Sequence, residues 1–474
     1  MAALPWVILL SGWVIAIGLT PYLSRHYAAA RAWGWLAVMF AFPWVGLVLF
    51  IVLGRNPLGR KRAVRYRQTV HEYVGRSVLE DIPREDEGAC LSSEAQRISR
   101  LAAAGGALPV VSGNRATLLD FHPTLETLLA DIASAREQVD LAYYIFRDDN
   151  AGRRVAEALT DARGRGVACR LLVDAIGSRG MLRTLAPRLG RAGIGVRASL
   201  PINLFRRRLA RMDLRNHRKI AVIDGHTAYL GSWNVGEGCV GPGPENTYRD
   251  LTVRLEGPVV AEIALLFLAD WCFETEEQAE SRLTAPPPVA GPGEVMQVVP
   301  SGPMYPSPAF RDVVIFCIHQ AERRITMTTP YLVPDHAMML AVRLAAQRGV
   351  DVRFVVPHST DHVLVDSVAK SYLRELNDYG VAVYVHHRGL LHAKAMTVDS
   401  TVGIIGSANL DLRSFHLDVE ANLLVFSEDT IAQIRQRQES YIAESVRLDA
   451  AQIRRWGRLR RLGQDMARLF GPLM

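Results

Sequence analysis

Strongly apolar residues dominate the first 54 positions of the chain, where they fall into two runs. Residues 1–24 and 32–54 contain no Asp, Glu, Lys or Arg, and Arg25 and Arg31 lie in the short connection between them. Because a helix needs about 20 apolar residues to cross a bilayer, the pattern predicts a hairpin of two transmembrane helices over 1–54. A cleaved signal peptide is disfavoured, since no basic residue precedes the first run and a second apolar run follows it.

A cluster of basic residues follows the second run, in the sequence GRNPLGRKRAVRYR. Basic residues beside a span favour the cytoplasmic side and attract anionic lipids. We therefore expect both termini on the cytoplasmic side of the membrane, and we assign 55–107 to a basic juxtamembrane segment and linker.

From about residue 108 the pattern becomes that of an α/β fold. Short β-rich runs such as VDLAYYIF (139–146) and CRLLVDA (169–175) alternate with amphipathic helical stretches such as LETLLADIASAREQ. Strands connected by crossover helices predict a largely parallel sheet.

The segment 285–293, APPPVAGPG, is rich in Pro and Gly and predicts a linker. It divides the α/β region into a first lobe, 108–284, and a second lobe, 294–446. The remaining residues, 447–474, form a basic amphipathic tail, suited either to lie on a membrane surface or to pack against the lobes.

The two lobes repeat each other. RGVACRLLVD in the first lobe corresponds to RGVDVRFVVP in the second, and each follows an earlier strand, VDLAYYIF or ITMTTPYLV. Such a repeat predicts two similar lobes related by a pseudo-twofold axis.

Composition narrows the class of protein. Hydrophobic residues make up 49% of the chain, which excludes intrinsic disorder. The five cysteines include no CxxC, which argues against a zinc site or a disulfide framework and predicts free thiols. An excess of 55 Lys and Arg over 48 Asp and Glu favours an anionic partner, and the apolar N-terminal runs indicate lipid rather than nucleic acid.

A third repeated block carries polar residues at identical spacing in both lobes. It reads HRKIAVIDGHTAYLGSWN in the first lobe and HAKAMTVDSTVGIIGSAN in the second. Six identities at fixed spacing arise by chance on the order of once in 10⁸ start positions, so the duplication predicts a catalytic site. The shared positions are His217, Lys219, Asp224, Gly231, Ser232 and Asn234 in the first copy, and His392, Lys394, Asp399, Gly406, Ser407 and Asn409 in the second.

These residue types suit phosphoryl chemistry. A His and a Lys two apart on a strand project from the same face and can grip a phosphate. Ser232, Asn234, Ser407 and Asn409 are predicted to donate hydrogen bonds to phosphoryl oxygens. One neutral imidazole can attack phosphorus while the other, protonated, donates to the leaving alkoxide. No metal site or cofactor is predicted, because the carboxylates do not cluster as in a two-metal site.

The duplicated block resembles the HKD signature of the phospholipase D superfamily. Further segments, among them VLGRNPLGRKR, VVPSGP, TPYLVPD and IGSANLDLRSF, are similar to bacterial cardiolipin synthases. The resemblance implies transfer of a phosphatidyl group from one phosphatidylglycerol to another through a phosphohistidine, with release of glycerol, at the bacterial inner membrane. A phospholipase D-type hydrolase or another phosphatidyltransferase is the alternative, and a membrane-tethered nuclease is a more distant one.

The resemblance also implies roles for single residues. His217 is expected to be the nucleophile and His392 the acid and base. Asp250 and Glu420 match the acidic residues that orient the histidines, although an ion pair with the neighbouring Arg249 is an alternative for Asp250. Asp224 and Asp399 belong to the signature, yet a strand-ending Asp is also ordinary turn chemistry.

One further basic cluster precedes the first motif. It is expected either to face anionic lipid or substrate phosphate, or to form a solvated loop. Its members are Arg206, Arg207, Arg208, Arg211 and Arg215.

Overall fold

The N-terminal apolar residues form several short helical segments. In the computed structural model α1 spans Leu4–His26, α2 Ala29–Ala41 and α3 Pro43–Leu49, followed by a π-helix, Phe50–Gly54. The second predicted span is therefore interrupted, because Pro43 holds Phe42 outside the helical region at φ −136° and ψ 76°. In the part of the chain that the structure describes, no helix is both long enough and apolar enough to cross a membrane.

The structure describes residues 4–27, 29–54, 64, 66, 68, 91–201, 214–238, 248–275, 284–291, 293–305, 307–360, 362–469 and 471. The basic cluster from Arg206 to Arg211, and Cys90 and Cys239, lie outside these residues. Cys169, Cys272 and Cys317 are buried, and none of the three forms a disulfide bond within the described residues.

The N-terminal helices have a small apolar core of their own. Leu23, Leu36 and Met39 are buried where α1 and α2 pack, and the Trp13 indole N–H donates to the Phe40 carbonyl at 3.1 Å. Many other large apolar side chains of these helices are exposed, including Trp33 at 71%.

The described residues after the N-terminal helices form the strands β1 Val110–Asp120, β2 Gln138–Tyr143, β3 Ala168–Asp174, β4 Gly195–Ser199, β5 Lys219–Ile223, β6 Thr227–Gly231, β7 Leu251–Glu256, β8 Glu294–Ser301, β9 Arg324–Thr328, β10 Leu332–Val333, β11 Asp351–Pro357, β12 Ala382–His386, β13 Ala395–Val398, β14 Val402–Gly406, β15 Leu410–Asp411, β16 Glu420–Val425 and β17 Ser445–Arg447. Fifteen of these described strands form one sheet, in the order β17-β12-β11-β9-β13-β14-β16-β8-β1-β7-β6-β5-β2-β3-β4, and β10 and β15 pair in a second, small sheet.

Helices cover this sheet. They are α4 Ser93–Ala104, α5 Phe121–Ser134, α6 Asn150–Gly164, α7 Arg179–Thr184, α8 Ala186–Arg191, α9 Val259–Thr275, α10 Ala309–Gln320, α11 His336–Gln347, α12 Val363–Asp378, α13 Leu412–His416, α14 Glu428–Ala443, α15 Ala450–Arg454 and α16 Arg458–Arg468. Helix α9 is buried from Val259 to Phe273, in a core that includes side chains of both lobes.

The strand order confirms the α/β fold with two similar lobes. β1 and β8 pair in the middle of the sheet, and outward from them β7-β6-β5-β2-β3-β4 of the first lobe corresponds to β16-β14-β13-β9-β11-β12 of the second. The pseudo-twofold relation thus passes between β1 and β8.

The expectation of a largely parallel sheet is wrong. Only β2-β3-β4 and β9-β11-β12 are parallel runs within the large sheet, whereas the motif strands pair antiparallel, β5 with β6 and β13 with β14. The reason is the connection: crossover helices join the parallel strands, but a tight turn of a few residues joins the motif strands, and such a turn permits only antiparallel pairing.

The C-terminal tail packs on the second lobe. The Arg468 guanidinium bonds to the Glu375 carboxylate of α12 at 2.6 Å and lies 4.3 Å from the Tyr372 ring centre. Ile453 and Ala467 join the core of this lobe.

Candidate active site

The structure brings the two motif histidines to the junction between the lobes. His217 comes two residues before β5, and its backbone N–H donates to the Val419 carbonyl at 2.9 Å. His392 precedes β13, and its N–H donates to the Arg249 carbonyl at 2.9 Å. Each motif is therefore tied by backbone to the opposite lobe, and both imidazoles are buried.

Each histidine is oriented by a carboxylate from the other half of the chain. His217 Nδ1 lies 2.9 Å from Glu420 Oε1, and His392 Nδ1 lies 2.7 Å from Asp250 Oδ1. The side chain of Arg249 points elsewhere and pairs with Glu444 at 3.6 Å, so Asp250 is not held by its neighbour. Because Nδ1 is engaged in both rings, Nε2 is the nitrogen left to meet a substrate.

The motif serines serve these carboxylates rather than facing a phosphate. Ser232 Oγ donates to Asp250 Oδ1 at 2.7 Å, and Ser407 Oγ donates to Glu420 Oε2 at 2.5 Å. Each hydroxyl proton is thus committed to a carboxylate. The prediction that these hydroxyls bind phosphoryl oxygens does not match this arrangement, because one O–H can donate only once.

The motif asparagines are placed differently in the two lobes. Asn234 Oδ1 accepts the Ile145 backbone N–H at 3.1 Å. Asn409 is buried, and its Oδ1 has no hydrogen-bond partner among the described residues. A phosphate-binding role for both amides stays a prediction.

The motif aspartates lie at the far ends of their strands and hold turns. Asp224 accepts the backbone N–H groups of residues 136–138 at 2.8 Å each, and Asp399 accepts those of 322–324 at 2.7–2.9 Å. Both adopt positive φ, 51° and 46°. Short polar side chains tolerate this left-handed conformation better than most. Both aspartates therefore join the strands of a lobe and stay away from the histidines.

The two lysines share the buried cluster with the histidines. Lys219 Nζ donates to the His217 carbonyl at 2.6 Å, and Lys394 Nζ lies 3.0 Å from His392 Nε2. Burial lowers the pKa of Lys219 to about 8 and, together with the charge of Lys219, that of Lys394 to about 7. Burial therefore disfavours the protonated form of both lysines. The negative charge of a bound anion would stabilise that form, so the cluster favours an anionic ligand.

The two histidine and carboxylate pairs are not equivalent. Burial, and then the charge of Lys219, lowers the pKa of His217 well below its usual value, while burial raises the pKa of Glu420 to about 7. Burial works against the charge of Asp250, but His392 and Lys394 outweigh it and the pKa of Asp250 is lowered. The pKa of His392 is also lowered, by burial and Lys394, with Asp250 opposing. The partner of His392, Asp250, therefore stays ionised at neutral pH, whereas the partner of His217, Glu420, is readily protonated there.

Several residues around the histidines were not predicted from the sequence. The Tyr144 ring lies 4.7 Å from the His217 ring, and Ser414 Oγ donates to Glu420 Oε1 at 2.8 Å. The ring of Tyr248 lies 5.6 Å from the His392 ring. Tyr144 and Ser414 occur once in the repeat, so a search for duplicated positions does not find them.

A buried network of polar side chains holds the first motif in place just before β5. Arg218, which lies between the motif His and Lys, donates to Asp270 Oδ1 at 2.8 Å and to the Tyr66 hydroxyl at 3.2 Å. All three side chains are buried. Tyr66 lies in the region 55–107, which the sequence assigns to a basic juxtamembrane segment and linker, and its hydroxyl accepts from the Arg218 guanidinium.

In the part of the chain that the structure describes, no group of three or more His, Cys, Asp or Glu side chains is arranged to hold a metal ion.

Comparison with known proteins identifies the family. Residues 128–271 and 314–442 match the family model described as cardiolipin synthase, PLD-like domain. The chain is 34% identical over 488 residues to cardiolipin synthase A of Pectobacterium atrosepticum, covering 99% of this chain and 98% of the relative. The chain belongs to the cardiolipin synthase family. Cardiolipin synthase A of Yersinia pseudotuberculosis is similar too, at 33% identity with 99% and 98% covered.

A solved structure shares the fold of this cardiolipin synthase family member. Phosphatidylserine synthase of Haemophilus influenzae superposes with a TM-score of 0.56 at 14% identity, covering 80% of this chain and 98% of the other. The end-to-end match to the relatives supports cardiolipin synthase activity, a phosphatidyl transfer of the phospholipase D type, as the function of this chain.

Proposed function

We propose that the chain transfers a phosphatidyl group from one phosphatidylglycerol to a second one and releases glycerol. The observation that carries this proposal is the crossed arrangement of His217 on Glu420 and His392 on Asp250. It places two imidazoles beside two buried lysines, with Nδ1 of each ring held by a carboxylate and Nε2 of each ring as the nitrogen that can react. Both partners of the exchange are phosphodiesters, so the reaction needs no nucleotide.

In the first step His217 is the nucleophile. Its lowered pKa leaves the imidazole neutral at pH 7, so Nε2 can attack phosphorus. A P–N bond forms, the P–O bond to glycerol breaks, and His392 gives its proton to the glycerol oxygen. Burial and Lys394 lower the pKa of His392 in the free protein, but the negative charge of the bound phosphodiester and the ionised Asp250 stabilise its imidazolium form before that transfer.

The second step reverses these roles. The neutral His392 takes the proton from a hydroxyl of the second phosphatidylglycerol, whose oxygen attacks phosphorus. A new P–O bond forms, the P–N bond breaks, and His217 is restored. Water must stay away from the phosphohistidine, or the enzyme becomes a hydrolase that yields phosphatidic acid.

Lys219 and Lys394 act as phosphate-binding charges. A phosphodiester brings a negative charge into the cluster and raises the pKa of both ammonium groups from about 8 and about 7, which keeps them protonated while the substrate is bound. Their charges then stabilise the phosphoryl oxygens in the transition state.

The N-terminal helices attach the enzyme to its lipid. Trp6, Val14, Ile17, Trp33 and Phe42 are each more than 60% exposed, an apolar surface that is unusual for a protein in water. We place the chain at the bacterial inner membrane with its lobes on the cytoplasmic side, where the positive residues after the helices favour anionic lipid.

Product analysis tests the reaction. Detergent-purified protein receives labelled phosphatidylglycerol without nucleotide or divalent ions, and the lipids are separated. The proposal expects cardiolipin and free glycerol in equal amounts. Phosphatidic acid as the main product would instead establish a phospholipase D, and salt-sensitive cleavage of DNA would indicate a nuclease.

A further inference from the structure

A cavity of about 270 Å³ opens in the second lobe, apart from the catalytic residues. Pro330 and Pro357, at the carboxyl ends of β9 and β11, line it, and none of the four motif histidine and lysine side chains does. Because β9 is the direct neighbour of the motif strand β13 and strands are spaced about 4.8 Å apart, the cavity begins roughly 5 Å from the line of β13 and extends away from it toward β11. It therefore opens at the same edge of the sheet as the active site.

The exposed side of this cavity is cationic. His358, His387, Lys370 and Arg460 line it. The two imidazoles stack with ring centres 4.5 Å apart. Burial, followed by His387 and Lys370, lowers the pKa of His358, so nearby positive charge faces this ring.

One carboxylate also lines the cavity. Asp366 accepts the Thr360 backbone N–H at 2.9 Å and contributes a single negative charge. Lys370 and Arg460 are both cationic and outweigh it. The cavity therefore retains net positive charge, which favours an anionic ligand.

The inner side of the cavity is apolar. Leu332, Val356 and Leu373 are buried and line it together with Trp456. The Arg460 guanidinium lies 5.4 Å from the Trp456 ring centre, which fixes a cation at the border between the apolar and charged parts. An amphiphilic anion, with a phosphate and an acyl chain, matches both parts.

The helix that carries Arg460, α16, also exposes a row of apolar side chains. Leu459, Leu462, Met466 and Leu469 recur at helical spacing along α16, and all four are exposed, Leu459 at 86% and Leu469 at 70%. An apolar stripe flanked by arginines is typical of a helix that lies on a lipid surface. The stripe does not line the cavity, but it favours a position of α16 and the neighbouring cavity at a lipid surface, which supports a lipid rather than a free phosphate as the occupant.

We propose that this cavity binds an anionic phospholipid that does not react. Its phosphate lies among His358, Lys370, His387 and Arg460, and an acyl chain lies along Leu332 and Trp456. The bound lipid holds the second lobe on the membrane next to the edge of the sheet where the reacting lipids enter.

Photolabelling tests the proposal without depending on turnover. The full chain with His217→Ala and His392→Ala, which cannot react, is placed in phosphatidylcholine nanodiscs containing phosphatidylglycerol with a diazirine in its acyl chain. Labelled peptides are then mapped by mass spectrometry. The expected label falls on the segments 356–373 and 446–460, which line the cavity.

Two double variants provide the comparison. Lys370→Gln with Arg460→Gln should lower the cavity label at least fivefold, while Arg455→Gln with Arg458→Gln, which removes the same charge from exposed positions at the tail, should leave it unchanged. Thermal melting of both proteins checks that each is folded. Equal labelling of all three proteins would overturn the proposal.

Two further arms identify the ligand. Excess inorganic phosphate should not remove the label, whereas displacement by phosphate alone would show a free-anion site and overturn the lipid assignment. A photoreactive phosphatidylcholine should label the cavity much less. Equal labelling by this zwitterionic lipid would show that only the apolar side of the cavity contributes to binding, and it would overturn the assignment of an anionic lipid.

Discussion

His217 and Glu420 are 203 residues apart in the chain, yet Nδ1 of the first lies 2.9 Å from Oε1 of the second. The matching contact, His392 with Asp250, runs in the opposite direction between the lobes. Neither lobe therefore holds a complete pair of histidine and carboxylate, and the candidate active site forms only where both lobes pack together.

Removing the charge of either orienting carboxylate should slow the reaction strongly. We expect Glu420→Gln and Asp250→Asn each to reduce kcat by roughly 10²–10⁴-fold, by analogy with amide replacement in a Ser-His-Asp site, with KM little changed. Steady-state kinetics on phosphatidylglycerol measures this.

Glu262→Gln is the matched control for Glu420→Gln. Burial raises the pKa of Glu262 well above its usual value, so its side chain is already an uncharged acid of nearly the shape of an amide. This variant should keep wild-type kcat. A Glu420→Gln enzyme as active as the Glu262→Gln enzyme would show that orientation of His217 by this carboxylate is unimportant.

Replacing Lys394 should stabilise the protein while abolishing turnover. A lysine whose pKa falls to about 7 in the folded state releases its proton on folding, so the wild type gains stability as pH rises from about 7 toward the unfolded value near 10.4. Lys394→Met removes this dependence. Its Tm should exceed that of the wild type, by more at pH 7 than at pH 10.

Thermal melts across this pH range measure the difference, with the exposed Arg455→Met as control. A Lys394→Met protein that melts below the wild type at pH 7 would contradict the conclusion that burial of the Lys394 ammonium destabilises the folded protein.

The motif aspartates should prove structural. Asp224→Ala loses three backbone hydrogen bonds and strains a positive φ, so we expect a loss of about 2–4 kcal/mol in the free energy of unfolding. Asp224→Asn, which can still accept and tolerates the conformation, should lose less and keep kcat within about threefold. Denaturant unfolding and kinetics at low temperature separate stability from chemistry, and a 100-fold fall in kcat for Asp224→Asn would assign it to the reaction.

Breaking the buried ion pair of Arg218 and Asp270 should destabilise the protein strongly, whereas replacing both residues by apolar ones should destabilise it much less. Asp270→Asn leaves Arg218 as an uncompensated buried charge and should cost about 3–5 kcal/mol. Arg218→Met combined with Asp270→Leu should recover much of that loss. A double-mutant cycle by urea unfolding checks it, and additive losses would mean that the two groups do not interact.

The sequence predicted the duplicated motif and the two lobes because both are repeated, and repetition can be read without a structure. It predicted Asp250 and Glu420 as orienting residues but not that each contacts the histidine of the opposite lobe, since the contact between His217 and Glu420 joins residues 203 positions apart in the chain. It misplaced Ser232 and Ser407, because a hydroxyl beside a phosphate site and one beside a carboxylate look the same in sequence. Pro43 is a helix breaker that the sequence shows, but the length of the apolar run 32–54 favours the prediction of one continuous span.

Trapping the covalent intermediate tests the central claim most directly. Wild-type enzyme mixed with ³²P-labelled phosphatidylglycerol is quenched within milliseconds, and the acid-labile label is mapped to a peptide. We expect label on His217, no label in His217→Ala, and label that forms more slowly in His392→Ala. Label on His392, or cardiolipin formed without any labelled enzyme, would contradict it.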